Sequence, residues 1–136
     1  MKTILLSAAL LVSAAASQAA APAPTEQEAR AMAARGAALI KAKGREEMVK
    51  RIHAHDPEFV QEALALTMRD LYTGVVLAHP VDARRTGTDN AGTDPATRLY
   101  PRQVIELAQR SGQGRLDQAW IVRVGDVVLE AGLVLR

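Results

Sequence analysis

Three histidines, a single serine beyond residue 17 and no cysteine bound the chemistry open to this chain. Thiol nucleophiles, thiolate metal sites and disulfide staples are excluded. A Ser-His-Asp hydrolase would have to use Ser111, which stands in RSGQG without the G-x-S-x-G setting of an exposed nucleophile. His53, His55 and Asp56 spell H-x-H-D, a spacing that suggests a metal site. On a helix, positions i and i+2 point apart, and zinc would need further ligands such as His79 or Asp82. The sequence favours a solvated helix end there, with histidines at the negative end of the helix dipole. Residues 86–90, TGTDN, carry oxygen donors but not in the order of an EF-hand loop. No P-loop or dinucleotide-binding glycine pattern is present. The expectation is a protein without catalytic residues, resident metal or cofactor.

Charge narrows the partners. Seventeen Lys and Arg against fifteen Asp and Glu leave a formal charge of +2, with both signs interspersed. A nucleic-acid groove needs a basic stripe, commonly with stacking aromatics. Here Arg84-Arg85 is the only basic doublet in a loop, and Phe59, Tyr72, Tyr100 and Trp120 are scattered.

The start of the chain reads as an export signal. Lys2 precedes an apolar run over residues 4–16, too short to span a bilayer. Ser17 and Ala19 supply small residues at positions −3 and −1, so cleavage is expected between Ala19 and Ala20. Without cysteine a lipoprotein anchor is excluded, and no later run is long and apolar enough to cross a membrane. The expected organisation is a signal peptide (1–19), an Ala/Pro linker (20–24) and one domain (25–136) released outside the cytoplasm, in the periplasm. That length supports a single core.

The elements that would position any site follow from pattern. Thr25 and Glu28 form a capping box, and Ala29, Met32, Ala33, Gly36 and Ile40 share one stripe of a helix that ends at Gly44. Ala33 and Gly36 imply that this backbone lies close to what it covers. A shorter helix over 45–53 buries Met48, Val49 and Ile52, and Pro57 bars its extension. Residues 64–68 and 74–78 read as a hairpin, with Leu64, Leu66 and Met68 on one face, Ala65, Thr67 and Arg69 on the other, and RDLYT as its loop. Residues 81–97 form a polar flap. Pro101 is placed at the start of a helix that buries Val104, Ile105 and Ala108. Residues 115–124 and 127–135 are two strands joined at Gly125-Asp126, with Val127, Leu129, Ala131, Leu133 and Leu135 on one face. The order implies an α+β layer: an antiparallel sheet with helices on one side.

Several of these pieces, taken in order, resemble the single Cache domains, PAS-like extracytoplasmic sensors. ALIKAKG resembles the end of their long N-terminal helix, PEFVQEALALTMRDLYTGVVLAHP their first hairpin, PRQVIELAQRSGQG their later helix and its glycine-rich exit, GRLDQAW their Trp-bearing strand, and VRVGDVVLEAGLVLR their last strand. The likeness spans about residues 26–136. It departs where Trp120 runs straight into Val124 without a polar hairpin, which would leave four strands in place of five. It departs again at Arg115 and Gln118, where the family tends to place aromatics.

The resemblance implies a PAS-like antiparallel sheet of four to five strands with a long N-terminal helix packed on it. It also implies a stand-alone, non-catalytic sensor that binds a short carboxylate or amino acid and passes its signal to a separate partner. Its pocket would lie between the sheet and the 81–101 segment, where His79, Tyr100, Gln118 and Trp120 would meet. Arg115 or Arg123 would offer a fork to a carboxylate. The competing expectation is an envelope interaction module that has lost its pocket, which the missing aromatics favour.

Overall fold

The structure is a computed structural model that describes residues 23–88 and 95–133. The expected signal peptide and most of the linker, residues 89–94 of the flap, and Leu135 lie outside the described residues.

Helix α1 (Glu26–Lys43) begins at the expected capping box. The Thr25 hydroxyl accepts the Glu28 N–H at 3.2 Å, and the Glu28 carboxylate accepts the Thr25 N–H at 2.7 Å. It ends at Gly44, whose φ of 88° is costly for a residue with a Cβ. Ala29, Met32, Ala33 and Gly36 face the sheet. A Cβ on Gly36 would fall 2.7 Å from a Leu66 methyl and 2.9 Å from a Leu129 methyl, so the two leucines pack directly against the helix backbone there. Helix α2 (Arg45–His53) adds Met48 and Ile52, both fully buried.

Five antiparallel strands follow: β1 (Leu64–Asp70), β2 (Val76–Ala78), β3 (Gln113–Leu116), β4 (Ala119–Val124) and β5 (Val127–Leu133). Their spatial order is β2-β1-β5-β4-β3. The chain lays down β1 and the β2 edge, crosses to the opposite edge through helix α3 (Pro95–Ser111), and returns as a meander. That meander seats β5 beside β1 in an unbroken register from Leu64↔Leu133 to Asp70↔Val127. The outer edge of β2 is covered by its own chain, since Val76 exchanges backbone hydrogen bonds with Gly87 and Thr88.

Strand alternation sorts the core into two faces. Leu64, Leu66, Met68, Val127, Leu129 and Ala131 pack under α1 and α2. Ala119, Ile121 and Val128 pack with Val104 and Ala108 of α3 on the other side.

Three expectations are corrected. The helices cover both faces of the sheet, because α3 takes the face that α1 and α2 leave open. Residues 115–124 are two strands, because Asp117 turns the chain through a left-handed φ of 51°, which Asp tolerates better than most residues. The sheet therefore has five strands. Helix α3 starts at Pro95 and carries Pro101 inside it, six residues later than the initiating position.

Candidate functional site

Helix α3 does not cover its whole face of the sheet. At the end nearer β1 it leaves a half-open cleft of about 270 Å³, floored by Thr67, Arg69 and Glu130 and walled by His79, Arg85 and Tyr100. The space exists because the floor also carries small residues: Ala65, Ala119 and Gly132. Gly132 stands so close to β4 that a Cβ there would meet that of Ala119 at 3.3 Å.

The floor is ionic. Arg69 of β1 and Glu130 of β5 are a diagonal cross-strand pair, since Thr67 is opposite Glu130 and Arg69 opposite Val128. Arg69 Nε donates to Glu130 Oε2 at 3.1 Å and Nη2 to Oε1 at 3.5 Å. Its Nη1 donates to the Gly74 carbonyl at 2.7 Å. The two side chains are only 2% and 6% exposed. A charge this deep survives by being paired and hydrogen-bonded, so Arg69 ties β5 to the β1–β2 turn. Asp70 builds that turn. Its Oδ1 accepts the N–H groups of Tyr72 and Thr73 and the Thr73 hydroxyl, and these bonds hold its carboxyl below the usual range.

The walls are neutral or loosely charged. His79 closes β2, and its Nδ1 accepts the backbone N–H groups of Val81 at 3.2 Å and Asp82 at 3.0 Å. This fixes the proton on Nε2. Burial, and then the charge of Arg85, lower its pKa and keep the ring neutral. Asp82 caps the short 3₁₀ turn Ala83–Arg85 and pairs with Arg84 at 3.0 Å, which holds its carboxyl low. Arg85 is half exposed and lies 3.9 Å from the same carboxylate. Tyr100 of α3 has its hydroxyl within reach of Glu130, and burial together with that negative charge keeps it protonated well above its ordinary range.

Of the five residues expected to bind ligand, His79 and Tyr100 meet in this cleft. Gln118 sits in the exposed β3–β4 turn and meets Trp120 and Arg115 at a second cleft of about 270 Å³, beside Glu26 and Ala29 of α1. Trp120 points to the opposite face, because β4 alternates and Ala119 and Ile121 take the α3 side. Its ring lies under the Arg30 guanidinium of α1, 4.5 Å from the centroid. Arg123 is at the far end of β4 and donates to the Gly125 carbonyl at 3.0 Å. Arg115 pairs instead with Glu26 at 3.5 Å.

Arg69 and Glu130 escape a reading of local pattern. Arg69 looks like the first residue of a polar turn, and Glu130 like a lone acid on an outward strand position. Their shared parity with Thr67 and Val128 is the signal that could reveal them. Using it requires knowing that β1 pairs with β5, sixty-one residues away.

No family model matches this sequence, and no curated protein matches it. Among solved structures, a chain described as "Periplasmic sensor domain of chemotaxis protein" shares the fold, with a TM-score of 0.53 at 15% identity, over 81% of this chain and 90% of that one. At that identity the likeness shows a common architecture: an α+β domain with a long helix on a five-stranded antiparallel sheet.

Proposed function

We propose that this protein is an extracytoplasmic small-molecule-binding domain of the Cache type, released to the periplasm after removal of residues 1–19, that senses its ligand and does not transform it. The observation that carries this reading is the cleft over the Arg69–Glu130 pair. A binding site needs a concave space with a few fixed, convergent polar groups, and here the groups are pinned by one another. The solved sensor domain of the same fold adds support at the level of architecture.

The ligand class follows from charge. Arg69 and Arg85 face Glu130 and Asp82, so the lining is close to balanced. That suits a short carboxylate or an amino acid, whose carboxylate would take Arg85 and whose ammonium group would take Glu130. The Nε2–H of His79 and the Tyr100 hydroxyl would set its orientation. The same geometry argues against general-base chemistry, because the free lone pair of a neutral His79 is already spent on two backbone N–H groups.

The test is a thermal shift series on the chain secreted from its full sequence, against amino acids and short-chain carboxylates. A ligand at a hundred times its dissociation constant adds about 2.7 kcal/mol, a clear rise in midpoint for a domain of this size. A panel without any shift would instead support an envelope interaction module.

A further inference from the structure

We infer that His79 is an acid-sensitive latch on the turn that carries Arg85 into the cleft: the neutral ring holds the turn against the end of β2, and the protonated ring lets it go. The latch is a single lone pair. His79 Nδ1 accepts two backbone N–H groups, from Val81 at 3.2 Å and from Asp82 at 3.0 Å. An imidazolium carries a hydrogen on each ring nitrogen and accepts at neither. Protonation at Nδ1 therefore aims a third hydrogen at two others, and both N–H groups lose their acceptor. Few other contacts hold this stretch. The 3₁₀ turn Ala83–Arg85 has no buried residue, and Val81 is 59% exposed. Pro80 is buried on one side of the turn, and on the other Gly87 and Thr88 are tied to Val76 of β2. A segment with so little burial between two anchors opens locally at small cost once its hydrogen bonds go.

The surroundings of the ring decide when the latch opens. Burial is the largest influence and disfavours the charged ring. Arg85 on the turn, Arg69 of β1 and His53 of α2 also oppose a positive ring, and Asp82 favours one. Glu130 of β5 is committed to Arg69, and the Tyr100 phenol of α3 stays protonated. The balance keeps His79 neutral until the pH falls below the ordinary histidine value. Asp82 gives the imidazolium no ready partner. Its carboxylate already accepts the Arg84 N–H and Nε, at 3.0 Å each, and stays ionised in that range. Opening the turn takes Arg85 out of the cleft wall and relieves the like charge beside the ring. Together with the sensor reading, on which this consequence rests, the latch makes the domain hold an anionic ligand group near neutrality and release it in acid.

An NMR titration of the ligand-free secreted protein from about pH 8 to about pH 4 tests the latch. At the upper limit the ring should carry its proton on Nε2 alone, read from the ring nitrogen shifts. As the ring titrates, the Val81 and Asp82 amides should shift with the same midpoint and lose most of their heteronuclear NOE, while Val76 and Gly87 keep theirs. His79→Asn, which keeps an acceptor and cannot titrate, should abolish that step, and His53→Gln should leave it in place. A proton on Nδ1 at the upper limit, amides that stay ordered beside a protonated His79, or the same step in His79→Asn would overturn the latch. If His79→Asn fails to fold, the wild-type ring and amide midpoints decide. Glycine and pyruvate, whose carboxylates stay ionised over this range, probe the consequence. Binding seen at neutral pH should weaken at least about tenfold once the ring is protonated, and undiminished binding would overturn the control of the cleft. A domain that binds neither probe at any pH counts against the sensor reading alone, because the ring and amide readouts need no ligand.

Discussion

Replacing Arg69 by Met isolates what holds the cleft floor together. The substitution keeps a long, unbranched side chain and removes the guanidinium. It leaves the Glu130 carboxylate, 6% exposed, without the cation 3.1 Å away, and leaves the Gly74 carbonyl without its 2.7 Å donor. Removing one partner of a buried ion pair costs about 3–5 kcal/mol, because the remaining charge stays desolvated. Glu130→Gln keeps an acceptor but leaves the Arg69 guanidinium, 2% exposed, without its counter-charge, so its cost should fall in the same range. The double variant Arg69→Met/Glu130→Leu removes both charges and fills the space with carbon, an exchange that is often neutral. It should therefore be more stable than Arg69→Met alone. Urea unfolding monitored by circular dichroism, with the m-value checked for constancy and with Glu130→Leu alone as the fourth corner, gives all the free energies needed for the cycle. If Arg69→Met costs less than about 1 kcal/mol, or if the double variant is simply the sum of two losses, the pair does not pin β5 to the turn.

Other outcomes follow from the same structure. Gly74 has a φ of 74°, and a Cβ there would lie 2.9 Å from Ile105, so Gly74→Ala should cost about 1–2 kcal/mol in denaturant. Met48 is fully buried between α2 and the sheet, so Met48→Ala should cost about 2–5 kcal/mol by the same measurement. His79 has a folded pKa below its unfolded value, so the unfolded chain binds the extra proton. The stability contributed by the neutral ring is therefore complete above the ordinary histidine value of about 6.5 and is lost as pH falls through the folded pKa. His79→Asn places an oxygen near the Nδ1 position, and should flatten that part of the stability–pH curve. An unchanged slope would mean that His79 does not titrate as its surroundings require. Asp70 has the same sign of shift at lower pH. The amides of Thr73 and Tyr72 depress its pKa, so Asp70→Asn should diminish the stability lost in acid below the ordinary carboxylate range.

Local chemistry makes much of this fold legible. Thr25 and Glu28 mark the start of α1 and Gly44 marks its end, because a cap is a short-range hydrogen-bonding problem. The hairpin of β1 and β2 and the Gly125-Asp126 turn are readable for the same reason, and the α1 face of β5 follows from alternation at Val127, Leu129 and Ala131. The rest is decided by longer-range contacts or weak local signals. Asp117-Gln118 contains neither Gly nor Pro, so Asp117 alone, a weak turn signal, announces that the chain folds back between Leu116 and Ala119. Pro101 fits a helix start, and only the earlier Pro95 shows that it lies inside. The side of the sheet taken by α3 depends on the crossover from β2 to β3. Site residues divide in the same way. His79 stands next to a recognisable element end, Tyr100 lies inside α3 and not before it, and Arg69 and Glu130 become a pair only once β1 and β5 are neighbours. Trp120 is separated from them by one step of strand alternation.

The central claim is that the cleft above Arg69 and Glu130 receives a small ligand. An amide-resolved NMR titration of the secreted protein with amino acids and short-chain carboxylates tests it most directly. The account predicts a saturable response to at least one compound, with the largest shifts at Thr67, His79, Arg85, Tyr100 and Glu130. Saturable shifts centred instead on Gln118 and Trp120, or no response to any compound, would contradict it.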